Sequence, residues 1–314
     1  MSTDKSDEED TTLALEDDTS PAGWANMLKL GLGSSAQAKV ANRYTYVGKL
    51  GKGGMGEVLE VVDSHMQRTV ALKRMVGDRG MEHRFLQEAR VTGRLDHPNI
   101  VPIYDLEVAR DGRIGYAMKL VEGWTLGDLI DDGSDPLSTR LEHFLKVCDA
   151  MSYSHDRGVL HRDLKPDNIM VGPFGGVYVM DWGLARLLDA VDLPLSGPAG
   201  GSATQTLAGE LVGTPAYMAP EQTRSSKVSP SADLYSLGVI IYEMLSGRLP
   251  FEGETADVLI KKCMEMAPPL PAMGGIDNLA MRLIERDPLD RYQTAAETVQ
   301  VIDGMLSEAD IPTI

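Results

Sequence analysis

The sequence predicts an α+β chain of two lobes: a small antiparallel β-sheet lobe carrying one main helix, then a larger, mainly helical lobe. Three observations predict it. Residues 44–73 alternate apolar and polar side chains in short runs broken by turn residues, the period-two pattern of strands. Residues 80–95 switch to helical spacing. Beyond Gly123 most apolar residues recur at helical intervals. The 314 residues suffice for one two-lobed enzyme or two domains, and 43% hydrophobic with 25% charged residues can build a sizeable core.

Taken in order, residues 1–43 read as an acidic tail. The first twenty hold eight acidic residues and one Lys, too little apolar surface to offset the entropy of ordering, so disorder is predicted there. Trp24, Met27, Leu28 and Leu30 could dock weakly on the body. The small lobe is assigned to 44–121. "YTYVGKL", "EVLEVVDS" and "QRTVALKRM", with a turn at Asp63–Gln67, read as a three-strand meander. Phe85, Leu86, Ala89 and Leu95 form one helix face. Strands near 101–108 and 113–121 follow, joined by the Asp111-Gly112 turn. The larger lobe, 122–308, carries helices over 126–130, 141–156, 233–245, 256–266, 279–285 and 295–306, with 309–314 as a short tail. "LPLSGPAGGSATQTLAGE", 193–210, is rich in Gly, Pro, Ser and Thr and predicts a mobile loop.

Bulk chemistry excludes several classes. A net charge of −17 argues against a basic nucleic-acid surface. Cys148 and Cys263 lie in apolar, helix-like stretches without metal-ligand spacing, as reduced core thiols of a cytosolic protein would. No apolar run approaches the ~18 residues of a membrane span. The longest, "LGVIIYEMLSG" from Leu237, carries Glu243. The acidic N terminus lacks a secretory pattern, so the chain reads as soluble and cytoplasmic.

The motifs carry the chemistry. "LGKGGMGEV" spaces Gly51, Gly53 and Gly56 so that backbone N–H groups can approach phosphates. That spacing alone also fits a dinucleotide-binding turn or a plain hairpin. Strand-like sequence on both sides, with no helix before Gly80, favours a hairpin flap over a ligand. "VALK" ends its strand in Lys73, and "FLQEAR" offers Glu88. Each alone reads as a solvated surface charge; paired, they would hold the ammonium against a phosphate. "VLHRDLKPDNIMV" concentrates polarity between apolar flanks, and "VYVMDWG" ends a strand in Asp181. A carboxylate after four apolar residues must be paired or bind a cation. Asn168 and Asp181 are oxygen ligands suited to Mg²⁺ carrying a nucleotide. Asp163 is then available to accept a hydroxyl proton, and Lys165 to stabilise a moving phosphoryl group.

The ordered set "GKGGMGEV", "VALK", Glu88, "HRDLKPDN", "DWG" and "GTPAYMAPE" resembles the eukaryotic-type (Hanks-type) protein Ser/Thr kinases of the bacterial branch, from about Tyr44 to Met305. The resemblance implies a bilobal protein-kinase-like fold and transfer of the γ-phosphoryl group of Mg-ATP to Ser or Thr hydroxyls of proteins. Mn²⁺ is a second cation the ligands would suit. It implies that Gly51, Gly53 and Gly56 cover the phosphates and that Lys73, held by Glu88, binds them. Asp163 would be the base, and Asn168 and Asp181 the metal ligands. Leu50, Val58, Ala71 and Met170 would wall the adenine slot, with Met118 as gatekeeper, Lys119 to Val121 as hinge and Asp128 as a ribose contact. Glu221 should pair with Arg291, Asp233 should accept from the catalytic-loop backbone, and Thr214 should bond toward Asp163 and Lys165. Arg162 before Asp163 implies control by a phosphorylated activation segment, since a phosphate brings about −1.5 to −2 charge. Ser202, Thr204 and Thr206 are the autophosphorylation candidates, ahead of Ser196. The resemblance also allows a homodimer through the small lobe.

Two positions depart from the family. Trp182 stands where Phe is usual, and Thr92 where a larger apolar residue is usual. The swap predicts that Trp182 fills the space Thr92 leaves. The alternative to an active enzyme, a nucleotide-binding pseudokinase scaffold, needs a missing catalytic group, yet Lys73, Glu88, Asp163, Asn168 and Asp181 are all present.

Overall fold

The computed structural model describes residues 43–53, 56–76, 81–109, 112–187, 214–223 and 229–308. The acidic tail up to residue 42, the predicted loop at 193–210 and its Ser202, Thr204 and Thr206, and the 309–314 tail lie outside them.

The small lobe is a five-stranded antiparallel sheet. Its strands are β1 (Tyr44–Lys52), β2 (Gly56–Asp63), β3 (Arg68–Met75), β4 (Ile103–Val108) and β5 (Ile114–Met118), in the order β1-β2-β3-β5-β4. The meander forms as its alternation predicts, because period-two patterning gives each strand one face to bury. Leu59, Val61, Val70, Leu72 and Ala117 form the core of one face. Met75, Phe85, Ala89 and Tyr116 form the core where helix α1 (Glu82–Gly93) packs on the sheet. Glu88 shares that inward side of α1 with Phe85, Ala89 and Thr92, so the helix aims a carboxylate at β3. Arg43 belongs with this lobe, although the sequence reading leaves it in the tail. Its guanidinium binds Asp63 at 2.7 Å and also Asp105, tying the start of β1 to β2 and β4.

The larger lobe begins with β6 (Trp124–Thr125), α2 (Leu126–Asp132) and α3 (Leu137–Asp156). Next come the short strands β7 (Val159–Leu160), β8 (Ile169–Val171), β9 (Val177–Val179) and β10 (Arg186–Leu187). Helices α4 (Pro230–Ser246), α5 (Thr255–Met264), α6 (Ile276–Leu283) and α7 (Ala295–Glu308) complete it. β6-β8-β9 and β10-β7 are two small antiparallel sheets that present the loops between their strands to the small lobe. The stretch from Leu237 that is too short for a membrane is the C-terminal part of α4 with its Gly247 cap, and Leu237 to Tyr242 are buried. Among the described residues no helix is long and apolar enough to cross a membrane. A Cβ on Gly238 would lie 2.5 Å from Cβ of Leu283, so α4 and α6 cross in near-backbone contact. Cys148 is buried and Cys263 partly so, and neither is in a disulfide.

Among the described residues, two backbone features help to join the lobes. Val101 N donates to Val179 O at 3.1 Å, and Val179 N donates to Asn99 O at 2.8 Å, which stitches the segment before β4 to β9. On the other side the chain passes through Gly123 at φ +144°, where a Cβ would overlap the Val171 carbonyl oxygen. Only glycine fits there.

Candidate active site

A cleft of about 330 Å³ lies between the lobes. Its roof is the β1–β2 hairpin, where Gly53 N donates to Gly56 O at 2.8 Å. Its back wall is β3, the middle strand, on which Lys73 sits opposite Val58 of β2 and Tyr116 of β5. Lys73 Nζ donates to Glu88 Oε1 at 2.5 Å and to Asp181 Oδ1 at 3.2 Å. The Tyr116 hydroxyl donates to the same Glu88 oxygen at 2.6 Å. Burial alone would push Lys73 down, but the charges of Glu88 and Asp181 outweigh it and keep the ammonium protonated. Burial likewise pushes the Asp181 carboxyl up, and Lys73 more than reverses it. Burial drives the Tyr116 phenol well above its ordinary value, so it remains a donor.

The floor is the loop between β7 and β8. Asp233, 1% exposed on α4, accepts from His161 N at 2.9 Å and from Arg162 N at 2.8 Å. Those two bonds hold Arg162 at φ +69°, a left-handed conformation costly for any residue with a Cβ and tolerated where neighbours over-determine it. His155 lies 2.9 Å from the same carboxylate. Burial would raise Asp233, but the His155 bond and the backbone donors leave it below the ordinary carboxylate range. The His161 ring lies 3.0 Å from Met180 O, which can only accept, and Nδ1 accepts from Asp163 N at 3.3 Å, which fixes the ring as the Nε2–H tautomer.

Asp163 Oδ1 accepts from Thr214 N at 3.0 Å. Lys165 Nζ donates to Thr214 Oγ1 at 2.9 Å. Asn168 Nδ2 donates to Asp163 O at 2.8 Å, which orients the carboxamide oxygen as its other, ligand-capable end. Met180 N donates to Asn168 O at 2.8 Å, so the segments carrying Asn168 and Asp181 are tied together. Asp181 itself is at φ +59°. The cleft therefore gathers an ammonium, two oxygen ligands and, at its edge, a carboxylate beside a second ammonium. Among the described residues no cluster of three or more His, Cys, Asp or Glu could hold a metal unaided. A pair such as Asn168 and Asp181 suits a cation that brings most of its own ligands.

The protein kinase domain model matches residues 44–309. The chain belongs to the protein kinase family. Within it, the chain falls with the bacterial serine/threonine kinases. It is 36% identical over 293 residues to the serine/threonine-protein kinase PknD of Chlamydia felis, a match covering 84% of this chain and 31% of that one. It is 36% identical over 290 residues to PknD of Chlamydia pneumoniae, again 84% and 31%. It is 35% identical over 297 residues to PknD of Chlamydia trachomatis serovar D, 84% and 32%. The kinase chain thus spans about a third of the length of these curated relatives.

Of the residues the sequence singles out in this kinase, Gly51, Gly53, Gly56, Val58, Lys73, Glu88, Met118, Asn168 and Asp181 line the cleft. Asp163 and Lys165 meet at its edge through Thr214. Ala71 is buried beside Met118, its partner across β3 and β5, while Leu50 is about half exposed on β1. Met170 pairs with Thr125 on the floor. Lys119 and Val121 border a second groove with Phe174 and Tyr178, outside the cleft. The Lys119 side chain runs onto the Tyr178 hydroxyl, and its N–H donates to Pro102 O. Asp128 Oδ2 accepts from both the N–H and the hydroxyl of Thr125, closing a capping box on α2.

The expected exchange between Trp182 and Thr92 is incomplete. Trp182 is 1% exposed and packs against the His161 ring at 4.7 Å with the planes tilted by 52°, but Thr92 still borders open cleft volume. Thr92 Oγ1 is instead satisfied by Glu88 O at 2.9 Å within its own helix. The Trp182 indole N–H, expected to need a partner, has none among the described residues. The arrangement of Lys73, Glu88 and Asp181 is intact regardless. Sequence reasoning passed over Tyr116, which shares the period-two face of Met118, and His155, which shares its helix face with Met151 and could have been found from that spacing.

Proposed function

We propose that the domain transfers the γ-phosphoryl group of Mg-ATP to Ser and Thr hydroxyls of protein substrates. The observation that carries this is the contact of Lys73 with both Glu88 and Asp181 inside the cleft, while Thr214 holds Asp163 at its edge. The residues fit the nucleotide's metal: Asn168 and Asp181 would hold Mg²⁺, which neutralises phosphate charge and orients the transferred group. Lys73 binds the phosphates, and Glu88 keeps its ammonium from rotating away. Asp163 orients the acceptor hydroxyl and takes its proton. Lys165, anchored on the Thr214 hydroxyl, stabilises charge on the phosphoryl group in flight. The glycine hairpin excludes water from above. Residues 44–121 then serve as the nucleotide-binding lobe and 122–308 as the catalytic and acceptor-binding lobe, working on the cytoplasmic side where ATP is available.

The same chemistry supports autophosphorylation of Ser202, Thr204 or Thr206, which lie between Asp181 and Glu221 in the chain. Mass spectrometry of active protein should find phosphate there. A scaffold without transfer has no support among the described residues, since every group it would lack is present. Incubation with labelled ATP and Mg²⁺ decides: wild type should label myelin basic protein, and Asp163→Asn should lose roughly a thousandfold or more in kcat. Nucleotide binding by wild type without transfer would overturn the reading.

A further inference from the structure

Lys262 is a fully buried lysine outside the cleft. It lies on α5, is 0% exposed, and among the described residues has no carboxylate at ion-pair distance. Its Nζ donates instead to three backbone carbonyls, Pro215 O at 2.5 Å, Ala216 O at 3.1 Å and Met218 O at 2.6 Å. The Tyr235 ring lies 5.5 Å away. An ammonium has three N–H donors and no acceptor, and here each donor finds one oxygen. Burial pushes the Lys262 amine down to about 7, so three carbonyl dipoles aimed at it from one short segment are what favours its protonated form.

That segment begins at Thr214, whose N–H and hydroxyl engage Asp163 and Lys165. Its other supports are all side chains of the large lobe. Ser236 Oγ donates to Tyr217 O at 2.9 Å, the Tyr217 hydroxyl donates to Glu243 at 2.7 Å, and Gln222 links Ala219 N to Arg162 O. Lys262 supplies the only support for the 215, 216 and 218 carbonyls among the hydrogen bonds of the described residues. A hydroxyl approaching Asp163 comes up against this segment, so its shape limits where an acceptor can sit.

We propose that Lys262 is a positioning residue for the phosphoacceptor: by gathering three carbonyls of 215–218 it fixes the surface beside Asp163 and, through Thr214, the base itself. This rests on Asp163 acting as the base. It also separates two costs, because Lys262 touches nothing that would hold the nucleotide.

The test uses the whole chain, with Lys262→Met to remove the donors at similar volume and Lys262→Gln to retain two. Steady-state kinetics are measured with myelin basic protein and with ATP, and hydrogen exchange is followed at the amides of 214 and 216–219. Lys262→Met should raise KM for the protein acceptor roughly tenfold while KM for ATP stays within about twofold, with Lys262→Gln in between. Exchange at 214–219 should quicken in the same order. An acceptor KM within about twofold of wild type, a parallel rise in both KM values, or unchanged exchange would each overturn the proposal. Should Lys262→Met not fold, Lys262→Gln is read by the same criteria. Should wild type transfer no phosphate, the proposed function fails by itself, and exchange at 214–219 still decides whether Lys262 holds the segment.

Discussion

Glu88 is held from two sides, and only one of them is a charge. Lys73 and the Tyr116 hydroxyl both donate to its Oε1, with Phe85 packed against the Tyr116 ring at 5.2 Å. Removing the hydroxyl leaves a buried carboxylate with one donor fewer, in a site where burial already pushes it toward protonation. A protonated Glu88 releases Lys73. Tyr116→Phe should therefore lower kcat/KM for ATP by about three- to tenfold, a loss matching one net hydrogen bond. Steady-state kinetics check it, and an unchanged value would show that Lys73 alone fixes the carboxylate. Residue identity alone could not announce this role. Tyr116 reads as an ordinary aromatic in a strand, and its partner lies 28 positions away. Lys261 and Lys262 make the same point. They are adjacent and chemically identical, yet Lys261 donates to Glu252 O at the surface while Lys262 is buried. Nothing local distinguishes them, and only the packing of α5 on 215–218 does.

At the scale of elements, helix and strand content was legible wherever apolar period and burial agree. The meander, α1 and α4 appear where their patterns lie. α3 begins at Leu137, earlier than expected, because its first turn is partly exposed and carries no apolar stripe to read. The capping role of Asp128 was legible but unread, since Thr-x-x-Asp is the spacing of a capping box, and Asp128 closes one on α2. The contact between α4 and α6 is set by one missing side chain. Gly238→Ala gains roughly 1 kcal/mol of helix propensity but forces a methyl into Leu283 and Ile284. Overpacking of this kind costs about 1–3 kcal/mol, and a Cβ–Cβ approach of 2.5 Å belongs to the upper half of that range, so the variant should be less stable by about 1–2 kcal/mol net in chemical denaturation. Equal or greater stability would mean the two helices can part without loss.

For the molecule as a whole, the cores are unequal. The large lobe has one continuous core through α3, α4, α6 and α7, while the small lobe rests on two small clusters and on charges. Its Arg43 clamp holds the Asp63 carboxyl down from 3.8 to about 2. A carboxyl lowered in the folded state contributes stability that is complete above its unfolded value and is lost as pH falls toward the folded one. The small lobe should lose about 2 kcal/mol between roughly pH 5 and pH 2 from this group, and Asp63→Asn should flatten that limb. Acid unfolding followed by circular dichroism checks both, and an identical limb in the variant would remove the clamp from the account. The bilobal plan was legible from the change in period near Glu122. How the lobes are fastened was not, because the bonds between Asn99, Val101 and Val179 are main-chain, and the Asn99 side chain that joins them on Val177 O is one polar residue with no pattern around it.

That fastening decides which part of the small lobe can swing. The stretch that follows α1 is tied to the large lobe, so α1 is anchored at the end near Leu95, and Glu88 sits partway along it. A turn of α1 about that anchor would carry Glu88, and with it the bond to Lys73, while the seam at Val179 stays behind.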